Sequence, residues 1–194
     1  MKFLLSLSLV ILIASCSEEE TYVPKRYGQL RIDLSVEEKN YVQTNEICGL
    51  TTEIPDYAMV FQKDSPDSIS CFVDVKIAQH KATINLTYKS VDGNLPEFLE
   101  QSATLVHKHL IKADDFQDTL LLFEDKKVYA QVYNLVGNVA SPIQFVITDS
   151  SDHFMRGSLD FFAKPNYDSI RPVLNYVKKD IYHMIKTLEW ETQP

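Results

Sequence analysis

Most of the residue patterns that announce chemistry are missing from this chain of 194 residues. Cysteine occurs only at Cys16, Cys48 and Cys71, with no Cys-x-x-Cys, no His-Glu-x-x-His and no other tight ligand spacing, which excludes the common zinc and redox motifs. Glycine is scarce, with five in all, and Gly137-Asn138 lacks the neighbouring glycines of a phosphate loop. That pair reads as a left-handed turn between two strands. Basic residues are outnumbered 19 to 27, for a formal net charge of −8. Nucleic-acid binding requires clustered Lys and Arg to neutralise phosphates, so this balance argues against it. It equally argues against adhesion of the domain surface to anionic lipid. No internal repeat, low-complexity tract or interior linker interrupts the chain.

What is present begins at the N-terminus. Met1-Lys2 gives a short positive start, Phe3 to Ile13 is apolar except for Ser6 and Ser8, and small residues precede Cys16. A charged start, a short apolar stretch and a small-residue cleavage point describe an export signal. The run falls short of the roughly 20 apolar residues that span a bilayer. A cysteine at the cleavage point marks a bacterial lipoprotein, so residues 1–15 are expected to be removed and Cys16 lipidated. The abrupt switch to Ser17-Glu18-Glu19-Glu20 argues against a chance cysteine. Each buried methylene contributes about 0.8 kcal/mol, so one acyl chain holds marginally and several hold firmly. Residues 16–27 then form a tether to the membrane, with the domain outside the cytoplasm in the cell envelope. The periplasm is the expected place; surface exposure is the alternative, since an acidic stretch after the lipidated cysteine resembles a surface-export signal.

Residues 28–194 read as a single domain, long enough for a real core. Cys48 and Cys71 remain after lipidation. In an oxidising compartment two thiols pair readily, and a loop of about 23 residues would be worth roughly 3 kcal/mol. The other reading makes both cysteines small buried hydrophobes.

Leu30, Ile32 and Leu34 alternate with Arg31 and Asp33 as a first strand, and the stretch through Asp56 reads as irregular. Ala58 to Gln62 is a candidate strand, followed by a turn at residues 64–68. Cys71, Val73, Val75 and Ile77 share one strand face; Ala82, Ile84, Leu86 and Tyr88 share the next, so the two form a hairpin. Pro96 opens a helix to about Lys112 with Leu99, Ala103, Val106 and Leu110 on its apolar side. Strands are expected at Thr119–Phe123, Val128–Val136, Ile143–Asp149 and about Arg156–Ala163. A final helix places Ile170, Val173, Leu174, Val177, Ile181 and Met184 on one face, capped by Asp168 or Ser169. This order implies an α+β fold, a mostly antiparallel sheet with two main helices packed on it. Element order alone suggests a helix–sheet–helix sandwich of the PsbP/Mog1 kind.

Residues 137–157 resemble a known family. Gly-Asn-Val-Ala-Ser at 137–141, Gln144, Thr-Asp-Ser at 148–150 and His-Phe-Met-Arg-Gly at 153–157 resemble the core of the gliding-motility lipoprotein GldD of Bacteroidetes. Cys16, Arg31-Ile32-Asp33, Cys48, Cys71, Tyr88-Lys89 and Leu188-Glu189-Trp190 agree with it. Val23-Pro24-Lys25-Arg26 departs from the expected opening by one proline. The resemblance implies a non-catalytic envelope component of the gliding machinery, acting alongside the type IX secretion system. It implies the CBS-domain membrane protein GldE as partner, and no cofactor.

Candidate site residues are weighed against structural alternatives. His107 and His109 lie two apart on a helix, about 200° around it, so they cannot share a metal ion through one face. Asp149, Ser150, Ser151, Asp152 and His153 gather in one hairpin loop. They admit two alternative functions, a ligand- or metal-binding module and a hydrolase using Ser150 or Ser151. Turn chemistry accounts for the same residues, and adjacency in sequence does not make a triad. Asp149, Asp152, His153, Phe154 and Arg156 are the expected partner-binding residues, since Arg and aromatic side chains anchor interfaces. Arg156 could instead pair with Asp149 or Asp152 inside the fold. Tyr129 and Tyr133 read as a second buried face under a helix or as a partner-binding stripe. Ser68, Thr119 and Ser169 fit the Asp-Ser/Thr-apolar acceptor of Bacteroidetes O-glycosylation; Ser68, in a turn, is the best of them.

Overall fold

The computed structural model describes residues 39–65, 70–162 and 166–191. Cys16, Ser68 and the strand expected around Leu30 to Leu34 fall outside that range. The segment up to Asp56 was expected to be irregular, yet it carries three short strands: β1 (Tyr41–Gln43), β2 (Leu50–Thr51) and β3 (Glu53–Pro55). β1 pairs antiparallel with β3. Strands of two or three residues show no period that could be read; tertiary pairing creates them. Between β1 and β2, Cys48 and Gly49 both adopt positive φ, and Ile47 and Leu50 exchange backbone hydrogen bonds across them. This is the two-residue hairpin geometry that needs φ above zero at both central positions.

Alternation builds the main sheet. β4 (Met59–Lys63), β5 (Ser70–Ile77) and β6 (Ala82–Ser90) form one antiparallel meander. After helix α1 (Leu95–Leu110) come β7 (Asp115–Phe123), β8 (Val128–Val136), β9 (Ile143–Thr148) and β10 (His153–Phe161), a second meander. The two join where β10 pairs with β6, giving the order β4-β5-β6-β10-β9-β8-β7. Helix α2 (Tyr167–Thr187) and a short β11 (Glu189–Trp190), paired with β2, complete the described chain.

Topology decides where the helices lie. β6 sits mid-sheet and β7 at the far edge, so the connection between them must cross β10, β9 and β8. Helix α1 contacts those three strands. Its buried residues are Phe98, Ser102 and Val106; of the expected stripe Leu99, Ala103, Val106 and Leu110, Val106 alone is buried, and Leu99 is 38% exposed. The helix is turned by one residue because Phe98 packs against Phe154 of β10, with ring centres 5.4 Å apart. On the opposite sheet face, Val73, Ile84, Val132, Phe145 and Ile147 pack with Val173, Val177 and Ile181 of α2. The result is the helix–sheet–helix layering expected from the element order.

Asn166, not Asp168 or Ser169, caps α2, its side chain accepting from Ser169 N. Gly157 faces Phe145 across β10 and β9, and a Cβ there would lie 2.0 Å from the ring. A glycine inside a strand often marks such a close approach.

Candidate functional site

Antiparallel meanders bring several strand ends to one edge of the sheet, and this fold gathers them into a cleft. The β6 end (Ser90 to Asp92), the β7–β8 turn (Asp125 to Lys127), the β9–β10 loop and the segment Glu189 to Glu191 enclose about 870 Å³. Six carboxylates line it (Asp92, Asp125, Asp149, Asp152, Glu189 and Glu191) against Lys126 and Lys127. Lys126 is tied to Glu189 at 3.1 Å. The cleft is therefore strongly acidic, beyond what the net charge of the chain requires.

Its floor is aromatic. His153 stacks on Trp190 with ring centres 4.8 Å apart and planes 5° from parallel. His153 Nδ1 shares a hydrogen bond with the Tyr88 hydroxyl at 2.8 Å. Burial, and then the charges of Asp149 and Asp152, raise the pKa of Tyr88. Trp190 Nε1 donates to the Lys127 carbonyl at 3.1 Å, which ties β11 to the β7–β8 turn. Cys48 and Cys71 are joined in a disulfide at the same end of the sheet, with Cα atoms 5.8 Å apart. It fastens the Cys48-Gly49 hairpin to β5, and Cys71 lies opposite Tyr88 in the ladder.

Asp149 shapes the loop. Its Oδ1 accepts the backbone N–H groups of Ser151, Asp152 and His153 at 3.0, 2.9 and 2.8 Å. Its Oδ2 accepts from the Ser151 hydroxyl at 2.9 Å, which also reaches Asp152 Oδ2 at 2.8 Å. Burial pushes the Asp149 carboxyl up, but these hydrogen bonds outweigh it and hold the pKa below the ordinary value. A carboxylate so stabilised is a weak general base, and both its oxygens are engaged. His153 turns to Tyr88, so the loop assembles no Ser–His–Asp relay. No group of three or more potential metal ligands occurs among the described residues.

Two expected contact residues leave this loop. β10 begins at His153, three residues earlier than expected, because His153 and Phe154 pair with Ser90 and Lys89 of β6. Phe154 is buried in the small cluster with Val91, Phe98 and Val146 under α1. Arg156 sits farther along β10 and donates through Nη2 to Gln144 Oε1 at 2.6 Å, so it does not pair with Asp149 or Asp152. Of the five expected partner-binding residues, Asp149, Asp152 and His153 line the cleft and Phe154 and Arg156 do not. Trp190 and Tyr88 carry no local pattern that marks them as site residues; folding brings them to His153 from sequence positions far from the loop. Tyr129 and Tyr133 are half-buried, on the sheet face that α1 only partly covers. His107 is exposed, while His109 is half-buried, its pKa lowered first by burial and then by Arg156.

A second cluster sits against α2. Asp180 is buried and accepts from Lys39 Nζ at 2.6 Å, Tyr41 at 3.0 Å and Tyr57 at 2.5 Å. Lys39 also lies 3.4 Å over the Tyr176 ring and donates to the Tyr176 carbonyl. The sequence held one signal: Asp180 falls among Val177, Ile181 and Met184 on the apolar stripe. A charge there is rarely tolerated unpaired.

No curated protein matches this sequence. Among solved structures, the solution structure of cyanobacterial PsbP (CyanoP) from Synechocystis sp. PCC 6803 is similar at 11% identity and a TM-score of 0.46, covering 80% of this chain and 95% of that one. The sequence matches the family described as gliding motility lipoprotein GldD over residues 19–190, which include both cysteines of the disulfide and every lining residue of the cleft except Glu191. The chain belongs to the GldD family of gliding motility lipoproteins.

Proposed function

We propose that this chain is a non-enzymatic, lipid-anchored component of the gliding and type IX secretion machinery, acting by protein–protein contact through its acidic cleft. The observation that carries the reading is the cleft itself: six carboxylates converge around a stacked His153–Trp190 floor at the loop end of a rigid sheet. Loops held by a rigid scaffold are where binding chemistry concentrates. Stacked aromatics offer contact area at low entropic cost, and the carboxylates favour a partner segment that carries Lys or Arg. GldE is the partner that the family resemblance suggests. Cys16 supplies the anchor; among the described residues no helix is long and apolar enough to cross a membrane. The domain sits on the periplasmic side in this reading.

The test reverses charge at exposed positions that the fold does not use: Asp92→Lys, Asp125→Lys and Glu191→Lys together. The triple variant should fold and stay with the membrane, but lose motility, secretion and crosslinking to GldE. Normal motility and secretion in that variant would refute the cleft as the contact surface. Cys16→Ala should release the domain from the membrane; normal retention would refute the lipid anchor.

A small ligand is the second reading, since about 870 Å³ lies within the usual range of small-molecule pockets. Calorimetry with metals and cationic metabolites on the purified chain separates the two.

A further inference from the structure

Away from the cleft, the α1 side of the sheet leaves donors and acceptors unequally matched. Gln144 in β9 is 1% exposed and uses Oε1 to accept from Arg156. Its Nε2 is buried and meets no acceptor among the described residues, and the buried Nε of Arg156 meets none either. Both are donors, and a buried donor without an acceptor is costly. Arg156 also forms no ion pair among the described residues. Asp160 acts on its charge from four residues along the same strand, roughly 13 Å at Cα. That carboxylate is occupied by Asn85 Nδ2 at 2.6 Å and by the Ser141 hydroxyl. His109, near the end of α1, is held towards its neutral form by burial and then by Arg156, against the opposing charge of Asp160, and Lys112 adds to the lowering.

We propose that Arg156 and Gln144 form a recognition site for a carboxylate, bordered by the C-terminal end of α1. The two carboxylate oxygens supply the acceptors that Arg156 Nε–H and Gln144 Nε2–H lack, and the anion neutralises the half-buried guanidinium. Guanidinium geometry matches carboxylate and phosphate alike. One cation and one neutral amide balance a monoanion, whereas a phosphate dianion would leave charge uncompensated in a half-buried site.

The full chain is titrated with acetate, against chloride and phosphate at matched ionic strength. The side-chain resonances of Arg156 and Gln144 and the thermal midpoint are followed. Acetate should move both resonances saturably and raise the midpoint, with phosphate weaker and chloride inert. Arg156→Met alone leaves Gln144 Oε1 unsatisfied, so the decisive variant is Arg156→Met with Gln144→Leu, which replaces the pair by apolar groups. It should fold, and its acetate affinity should fall by about tenfold or more, as expected for a lost charge-assisted hydrogen bond. Equal responses to all three anions, or an acetate response kept in the double variant, would overturn the proposal. Native mass spectrometry of the gently extracted chain then separates the sources. A co-purifying small acid assigns the site to a diffusible ligand. A bare chain that still binds acetate assigns it to an acidic side chain of a neighbouring protein.

Discussion

Replacing Asp180 should expose how the N-terminal part of the described chain is fastened to α2. The Asp180 side chain is 0% exposed and that of Lys39 is 8% exposed, so neither charge has water to fall back on. Asp180→Ala would leave the Lys39 ammonium buried without its carboxylate and remove the acceptor of Tyr41 and Tyr57. Breaking a buried pair from one side costs about 3–5 kcal/mol, mostly the uncompensated charge. Replacing both partners by apolar residues of similar size is often close to neutral. Lys39→Met with Asp180→Leu should therefore be more stable than Asp180→Leu alone, by about 2 kcal/mol or more. The double variant should still fall below the parent, because two tyrosine hydroxyls keep no acceptor at about 1 kcal/mol each. Equilibrium denaturation in urea, followed by the fluorescence of the single tryptophan, Trp190, measures all four proteins. Refutation is a cost below about 1 kcal/mol for Asp180→Ala, or a double variant no better than Asp180→Leu.

Gly157→Ala should destabilise by about 3 kcal/mol, since the new Cβ would lie inside the Phe145 ring space; Phe145→Leu in the same chain should recover part of that loss in the same denaturation assay. Reducing the Cys48–Cys71 bridge should cost about 2–5 kcal/mol, and two alkylatable thiols in the unreduced, denatured protein would contradict the bridge. Acidification should weaken the fold: burial lowers the pKa of His80 and His109 below their ordinary value, so the unfolded chain binds protons first as pH falls through about 6.5. A fit of stability against pH should therefore slope down towards acid, more gently in His80→Gln. Asp149 adds a further loss at lower pH, because its carboxyl is held below the usual value and its stabilising hydrogen bonds fade as it protonates.

Long, strongly periodic segments were legible in the sequence. The β5–β6 hairpin, β8 and the buried stripe of α2 carry enough repeats of period 2 or 3.6 to fix which side chains face inward, whatever packs on them. The antiparallel α+β class follows from their order and short turns. Tertiary structure alone decided the rest, because it depends on contacts between residues far apart in the chain. Helix α1 turned its face to Phe98 because a crossover from β6 to β7 must lie over Phe154. The loop of Asp149 and His153 became one wall of a cleft only when Tyr88, Lys127 and Trp190 arrived from three other elements. Lys39, Tyr41 and Tyr57 found Asp180 more than 120 residues away. The period of a pattern says which side of an element is buried; only the packed chain says against what, and both sites of this protein are made of such meetings.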